Sequence, residues 1–229
     1  MTFVIGARYR PLLEAPLRVL GKSVFWLPDN PAVDPRLAGH ADLAVLRLGK
    51  DRVCVPEGAD THFVNYLTNR GYPIVYAGKQ GAVYPQDVGL CVCATGKYTI
   101  CNSKTVDPAI ASCLTGVRID VSQGYTKCAV SVVSDEAIIT ADNAVASRAA
   151  EAGMDVLRIA PGHVVLEGFD YGFIGGASFL LDKQTMAFTG SIEDHPDKAR
   201  IGRFLQKHGV TPVFLTERPI FDIGGAVAL

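Results

Sequence analysis

The segment that decides the fold is Gln123-Gly124-Tyr125-Thr126-Lys127-Cys128-Ala129-Val130-Ser131-Val132-Val133, followed at once by Asp135-Glu136-Ala137-Ile138-Ile139-Thr140. The β-branched residues in both parts predict two short strands joined by a tight turn. Asp142 is typical of a helix cap, and the helix formers after it end at Gly153. A third strand is predicted at 155–160. These residues therefore form a strand-strand-helix-strand unit.

The rest of the chain contains four further copies of this unit. The first copy lacks its first strand and has a strand at 3–6, a helix at about 10–20 and a strand at 23–27. The second has strands at 43–48 and 52–55 joined by a turn at 49–51, a helix at about 60–70 and a strand at 74–76. The third has strands at 88–94 and 97–101, a helix at 107–114 and a strand at 117–121. The fifth has strands at 176–181 and 186–189, a helix from about 196 to 209 and a strand at 212–215.

The carboxy-terminal tail supplies the strand that the first copy lacks. Its Gly224-Gly225-Ala226 repeats the Gly175-Gly176-Ala177 that opens the fifth copy. The first strands open at positions 42, 87, 127, 175 and 224, and successive positions are 40 to 49 residues apart. The distance from 224 through the carboxy terminus, continued from residue 1 to 42, lies in the same range. This period favours a closed five-bladed α/β-propeller, one domain over 1–229, above an α/β sandwich with coincidental alternation.

Composition excludes several classes of partner. The chain has 229 residues, 48% of them apolar, and 23 acidic against 22 basic residues, so no overall charge favours nucleic acid or an anionic membrane. The amino terminus lacks the layout of a signal peptide, and no apolar run approaches the roughly 20 residues that span a bilayer. We expect a cytoplasmic protein that binds neither DNA nor membranes.

The six cysteines are too few for a disulfide scaffold, and most lie in apolar strand-like runs. Cys91 and Cys93 would share one face of a strand, but no second pair at zinc-ligand spacing accompanies them. We expect buried free thiols, no metal and no cofactor.

The predicted architecture resembles the pentein fold, the α/β-propeller of guanidino-group-modifying enzymes such as arginine deiminases, dimethylarginine hydrolases and amidinotransferases. A ribosomal-subunit anti-association initiation factor, which is not an enzyme, has the same fold. Three segments further resemble uncharacterised bacterial proteins assigned to this fold: 123–128, Glu167-Gly168-Phe169-Asp170-Tyr171-Gly172-Phe173-Ile174-Gly175-Gly176 and Asp222-Ile223-Gly224-Gly225.

The chain departs from the catalytic members at two positions. Their nucleophilic cysteine lies in the carboxy-terminal strand, and 224–229 contain no cysteine here. Their acid/base histidine opens the first strand of the preceding unit, and 173–178 contain no histidine. Deiminase or amidinotransferase chemistry by the known route is therefore unsupported.

In a closed ring, the starts of the first strands converge near the axis. This predicts a ligand site formed by Asp42, Asp87 and Lys127, with Gly175 and Gly176 leaving room. Ionised carboxylates match the donor fork of a guanidinium. The alternative is that both aspartates lie at strand ends in water, or pair with Lys127 as a structural ion network.

Cys128 is the candidate nucleophile, because a neighbouring lysine lowers the pKa of a thiol when the side chains converge. The alternative is a buried structural thiol, since adjacent strand residues point to opposite faces. Asp170 and Tyr171 have the character of a binding loop, and Tyr125 and Asp222 complete the predicted ligand-binding set.

The loop histidine His163, with Glu167 and Asp170 close behind, is either an acid/base cluster or a surface residue. The segment beginning at His195 is better explained as a helix start, and His40 belongs to no pattern.

Two functions remain open. The first is a non-catalytic protein that binds a guanidino- or amino-acid-like small molecule, or a macromolecular partner such as a ribosome. The missing tail cysteine and histidine favour this function. The second is a hydrolase or transferase acting on a guanidino or amide-type molecule through Cys128. The sequence does not decide the oligomeric state.

Overall fold

A computed structural model gives the structure for residues 1–49 and 51–229. The turn predicted at 49–51 includes Lys50, which lies outside the described residues. The longest helices of the described ranges have ten residues. No helix in these ranges has the length and apolar character needed to cross a membrane.

Strands and helices alternate along the chain, and short helical turns precede some of the strands. The first part contains β1 (Thr2–Gly6), a 3-10 turn (Ala7–Tyr9), α1 (Arg10–Val19), β2 (Ser23–Leu27), α2 (Ala41–Ala44), β3 (Leu46–Leu48), β4 (Arg52–Pro56), α3 (Thr61–Asn69) and β5 (Ile74–Ala77). The middle contains β6 (Cys93–Ala94), β7 (Tyr98–Cys101), α4 (Pro108–Ala111), β8 (Val117–Asp120), α5 (Thr126–Ala129), β9 (Val130–Ser134), β10 (Ala137–Thr140), α6 (Asn143–Glu151) and β11 (Asp155–Arg158). The last part contains β12 (Ser178–Asp182), β13 (Thr185–Phe188), α7 (Lys198–Lys207), β14 (Thr211–Phe214) and β15 (Val227–Ala228).

The strands of the described chain form five three-stranded sheets with one shared pattern. In each sheet the middle strand pairs antiparallel with one neighbour and parallel with the strand that follows its helix. The first sheet has the order β15-β1-β2, in which Val4 lies opposite both Val227 and Phe25. This confirms a mixed α/β fold and the predicted pairing of the tail strand with the first strand.

Local sequence signals account for the helix ends. Asp60, Asp107 and Asp142 cap α3, α4 and α6, each accepting a hydrogen bond from a backbone N–H in the first turn. Each of the five connections between parallel strands contains, after its helix, a glycine with φ between 66° and 90°: Gly21, Gly71, Gly116, Gly153 and Gly209. Glycine adopts this left-handed conformation at no steric cost, and the helix stops predicted at Gly21, Gly71, Gly153 and Gly209 are confirmed. The helix predicted to run to Gly116 is shorter, because α4 ends at Ala111.

Apolar side chains of neighbouring sheets pack together in five separate clusters. Phe25 packs on Phe63 with ring centroids 4.9 Å apart, and Phe3 packs on Phe179 at 5.5 Å. The clusters join the first unit to the second, the second to the third, the third to the fourth, the fourth to the fifth, and the fifth to the first. Every unit therefore buries apolar surface on two others.

Three predicted first strands are shorter than their sequence pattern indicates. The second and fourth begin with the helical turns α2 and α5, so β3 starts at Leu46 and β9 at Val130. In the third unit only Cys93 and Ala94 pair, although 88–94 was predicted. Asp42 and Lys127 therefore lie on helical turns, and Asp87 lies in a turn before β6, so the prediction that these three residues open strands is wrong.

The junction between β1 and β15 depends on buried apolar side chains. Val227 is 7% exposed, whereas Val19 at the end of α1 is 84% exposed. We expect Val227→Ala to lower the free energy of unfolding by about 2 kcal/mol, because it removes buried methyl groups and leaves a cavity. Val19→Ala is the matched control, with a change within about 0.5 kcal/mol. Urea denaturation measures both, and equal effects would contradict the packing described.

Candidate functional site

Three segments that are distant in sequence bring four polar side chains together. His40 immediately precedes α2, Asp42 lies on α2, Cys128 lies on α5, and Asp222 lies in the tail before β15. All four side chains are buried, with 1% to 3% of their surface exposed. Because buried polar groups require partners, this convergence is the strongest chemical feature of the fold.

Cys128 is at the centre of this group. Its thiol donates a hydrogen bond to Asp42 Oδ2, with the sulfur and oxygen 2.7 Å apart. A nitrogen of His40, the sulfur of Cys128 and a carboxylate oxygen of Asp42 all lie within 4.8 Å of one another. A second thiol, Cys91, lies close by, with its sulfur 3.9 Å from that of Cys128.

Asp222 holds the tail against this group. Its Oδ1 accepts a hydrogen bond from the Gly224 N–H and its Oδ2 accepts one from the Phe173 N–H, both at 2.8 Å. His40 Nδ1 lies 4.0 Å from Asp222 Oδ1. Gly224 has φ of 69°, and a Cβ there would lie 2.4 Å from the Cβ of His40. A glycine at this position is required for the close approach of the tail to His40.

Three of the four groups, His40, Cys128 and Asp222, line a cavity of about 310 Å³, here called the aromatic pocket. The aromatic residues of its wall are Tyr125, Phe169, Tyr171 and Phe173. Phe173 contacts two of these rings, with centroid distances of 6.4 Å to Tyr125 and 6.5 Å to Tyr171. Phe169 and Tyr171 are 38% and 44% exposed, so they form the solvent side of the pocket.

The fourth polar residue of the pocket is Asp170, which is exposed. Four of the predicted ligand-binding residues therefore meet at one cavity: Tyr125, Asp170, Tyr171 and Asp222. The candidate nucleophile Cys128 borders the same cavity. The pocket offers two carboxylates beside aromatic rings and no lysine or arginine among the residues described as lining it.

Burial and nearby charge set the protonation of this group. Burial raises the pKa of Asp42 to about 7, and the charge of Asp222 adds to this effect. The contact with Cys91, burial and the charge of Asp42 raise the pKa of the Cys128 thiol well above its ordinary value. Burial lowers the pKa of His40. The thiol and the imidazole are therefore uncharged at neutral pH.

Asp87 has a different environment from the one predicted. It is buried and accepts a hydrogen bond from Tyr125 Oη, with the oxygens 2.5 Å apart. Burial, followed by this hydrogen bond to Asp87, raises the pKa of Tyr125. Asp87 thus positions a ring of the aromatic pocket and is not among the residues that line it.

Lys127 and Cys128 are adjacent in sequence but border different cavities. Lys127 lines a cavity of about 530 Å³ together with Asp42, Arg47 and residues of the tail. The pKa of the Cys128 thiol is raised, so the predicted activation of this thiol by a neighbouring lysine is not seen. The helical turn α5 separates the two side chains.

Gly175 and Gly176 were predicted to leave room for a ligand, and in the structure they allow backbones to pack closely. A Cβ on Gly175 would lie 2.2 Å from the Val130 carbonyl oxygen. A Cβ on Gly176 would lie 1.9 Å from Asp222 Oδ1. These contacts bring the fifth unit and the tail against α5, since Gly176 N–H also donates to the Cys128 carbonyl.

The predicted histidine cluster does not form around Glu167. His163 lies beside His195, with ring centroids 5.0 Å apart, while Glu167 lines a separate cavity of about 880 Å³ with Arg8 and Arg36. His195 precedes α7 and accepts a hydrogen bond from the Asp197 N–H, as expected near a helix start.

His40 was not among the residues predicted to form the site. Its only signal in the sequence is its position two residues before Asp42.

Comparisons with known proteins agree with the fold. Residues 4–227 match a family described as "Family of unknown function (DUF6873)". No curated protein matches the sequence. Among solved structures the chain is similar to DDAH from Pseudomonas aeruginosa complexed with citrulline, with a TM-score of 0.57, 11% identity and coverage of 98% of this chain and 95% of that chain.

Two further solved structures are similar. The amidinotransferase SxtG from Microseira wollei has a TM-score of 0.59 and 9% identity, covering 93% of this chain and 87% of that chain. The agmatine deiminase of C. jejuni has a TM-score of 0.51 and 8% identity, covering 94% and 87%. At these identities the likeness shows the fold alone, and it confirms the predicted resemblance to the pentein fold of guanidino-modifying enzymes.

The buried carboxyl of Asp42 makes stability depend on pH. Its pKa is about 7 in the folded protein, against 3.8 as the ordinary value. The folded state therefore holds this proton more tightly than the unfolded state. The resulting stabilisation is complete below about pH 4 and is lost as pH rises through 7.

We expect Asp42→Asn to remove this dependence, because the amide does not titrate while its oxygen still accepts from Cys128. The variant gains stability relative to wild type between pH 4 and 8, by up to about 4 kcal/mol. Denaturant titrations in buffer with a chelator measure this difference. Asp194 is exposed, and the control variant Asp194→Asn should show the same dependence of stability on pH as wild type. If the stability of Asp42→Asn depended on pH in the same way as that of wild type, Asp42 would not be the group responsible.

Proposed function

The chain belongs to the family of unknown function DUF6873, and we propose that its aromatic pocket binds a small organic cation of the guanidino or amino-acid type. The observation that carries this proposal is the charge of the pocket, where Asp170 and Asp222 lie beside four aromatic rings and the lining residues include no lysine or arginine. Of the four rings, Phe169 already has the guanidinium of Arg36 over it, 4.3 Å from the ring centroid. Carboxylates accept hydrogen bonds from a guanidinium, and aromatic faces attract cations.

The size of the pocket supports a small ligand. Its volume of about 310 Å³ is at the lower end of small-molecule sites. Asp222 is already oriented by two backbone N–H groups, so its remaining acceptor positions are available at low entropic cost. Tyr125 is likewise oriented by Asp87. A planar cation stacked between the rings would place its N–H groups toward these carboxylates.

The proposal includes the arrangement of the five units. We infer that they form one domain, a closed five-bladed propeller with the pocket near its axis. The pairing of β15 with β1 and the five apolar clusters that join successive units support closure. The solved structures of similar fold are named for guanidino chemistry, which supports this ligand class.

Thiol chemistry at Cys128 is the second candidate function, and the contact of Cys128 with Asp42 favours it. Asp42 Oδ2 lies 2.7 Å from the sulfur and can accept the thiol proton as sulfur bonds to the central carbon of a bound guanidino group. When a carbon–nitrogen bond of the adduct breaks, protonated Asp42 can donate the proton that the leaving amine needs. Water then adds to the carbon bonded to sulfur, Asp42 accepts a proton from this water and passes it to the sulfur, and the carbon–sulfur bond breaks to restore the thiol. A bound cation would stabilise the thiolate, whose pKa is raised in the free protein.

A thermal-shift screen with arginine, agmatine, polyamines and neutral amino acids tests the binding proposal. Ligands that bind the native state raise the melting temperature by mass action. We expect a shift with guanidino compounds, and about tenfold weaker binding in Asp170→Asn, because an ionic hydrogen bond is lost. Asp170 is exposed, so the variant should fold normally.

The exposed Asp194→Asn is the matched control, with unchanged affinity. The absence of a shift with every class would contradict the small-molecule proposal and would favour the alternative of a macromolecular partner. A shift that Asp170→Asn and Asp222→Asn leave unchanged would place the ligand outside the aromatic pocket.

Release of ammonia or amine from the compounds that bind tests the second function. We expect turnover to fall by at least about 10³-fold in Cys128→Ser, because the nucleophile is removed. The control Cys113→Ser should keep turnover within about tenfold, since this half-buried thiol packs in the cluster between the second and third units. Ligand binding without release of either product would leave only the binding function.

A further inference from the structure

We propose that His40, Asp42 and Cys128 form a binding site for a thiophilic divalent metal ion such as Zn²⁺. One nitrogen, one sulfur and one carboxylate oxygen lie within 4.8 Å of one another, and two of the three residues, His40 and Cys128, line the aromatic pocket. The three residues are 3%, 1% and 2% exposed. A metal site requires this kind of convergence, and exposed acidic clusters rarely provide it.

Unpartnered atoms in the same group point independently to a ligand. His40 Nε2 and Asp42 Oδ1 are shielded from solvent, and neither has a hydrogen-bond partner among the described residues. Buried polar atoms without partners destabilise a protein. A metal ion between the three side chains would satisfy the imidazole nitrogen and the carboxylate together.

The spacing of the three atoms suits a tetrahedral ion. Zinc–ligand bonds of 2.0–2.3 Å place neighbouring ligand atoms about 3.5 Å apart. The three ligand atoms lie within 4.8 Å of one another, and the sulfur and Asp42 Oδ2 are 2.7 Å apart because a proton joins them. Metal binding would release this proton and widen the contact by less than about 1 Å.

The donor set selects the kind of metal. A thiolate with an imidazole and a carboxylate suits Zn²⁺ or Co²⁺, whereas Mg²⁺ and Ca²⁺ prefer oxygen ligands alone. Three protein ligands leave one tetrahedral position for water or a bound molecule. His40 and Cys128 both line the aromatic pocket, so this position would face it.

A neighbouring carboxylate completes the arrangement. Asp222 Oδ1 lies 4.0 Å from His40 Nδ1, whereas the unpartnered nitrogen of the ring is Nε2. Metal-binding histidines commonly direct their second nitrogen toward a carboxylate, which orients the ring. The sulfur of Cys128 cannot be a ligand and a free nucleophile at the same time, so metal occupancy and thiol chemistry exclude each other.

Titration of the metal-free, full-length protein with Co²⁺ tests this site. We expect one equivalent to bind with a sulfur-to-cobalt charge-transfer band in the near ultraviolet, displaced by Zn²⁺. Cys128→Ser should remove the band, and His40→Gln should weaken Co²⁺ binding by at least about tenfold. Cys113 carries a half-buried free thiol, and the control variant Cys113→Ser should keep the charge-transfer band.

The absence of a charge-transfer band in folded wild type, or a band that persists in Cys128→Ser, would overturn the proposal. If Cys128→Ser fails to fold, unchanged Co²⁺ affinity in His40→Gln and in Asp42→Asn would overturn it equally. A chelator removes a divalent metal ion from the protein but does not remove an organic cation. The ligand screen run in excess chelator therefore tests the proposed cation binding independently of the metal site.

Discussion

The hydrogen bond from the Cys128 thiol to Asp42 is the interaction around which the candidate site is organised. It joins residues 86 positions apart and requires a carboxylate to be buried. Burial of such a group without a cation is unfavourable, as the raised pKa of Asp42 shows. The neighbouring Asp222 increases this cost. The protein retains an arrangement that its hydrophobic interior alone would not favour, which is typical of sites selected for function.

Close contacts at glycines hold this arrangement in place. The tail approaches His40 through Gly224, and the fifth unit approaches Asp222 through Gly176, where any side chain would collide. Asp222 then accepts hydrogen bonds from both segments and also faces His40. The site is therefore formed by contacts between units, whereas each sheet and helix is formed largely within one unit.

Much of the fold was predictable because its signals are local. Helix caps such as Asp142 and helix stops such as Gly153 act within a few residues, and the structure has both where the sequence indicates them. The first strands were less predictable. The apolar residues of 41–44 and 126–129 are compatible with a strand, but in the structure they form helical turns. These turns direct Asp42 and Cys128 toward each other, while Lys127 borders another cavity.

The sequence by itself determined the order of the strands and the longer helices, the pairing of the tail with the first strand, and half of the residues that line the aromatic pocket. These follow from periodicity, turn residues and the likeness between the copies, which are properties of short segments. Only the tertiary structure decided that His40 joins Asp42 and Cys128, and that Asp87 supports Tyr125. Such contacts depend on how separate units pack, and distances between packed units are not encoded in any single segment.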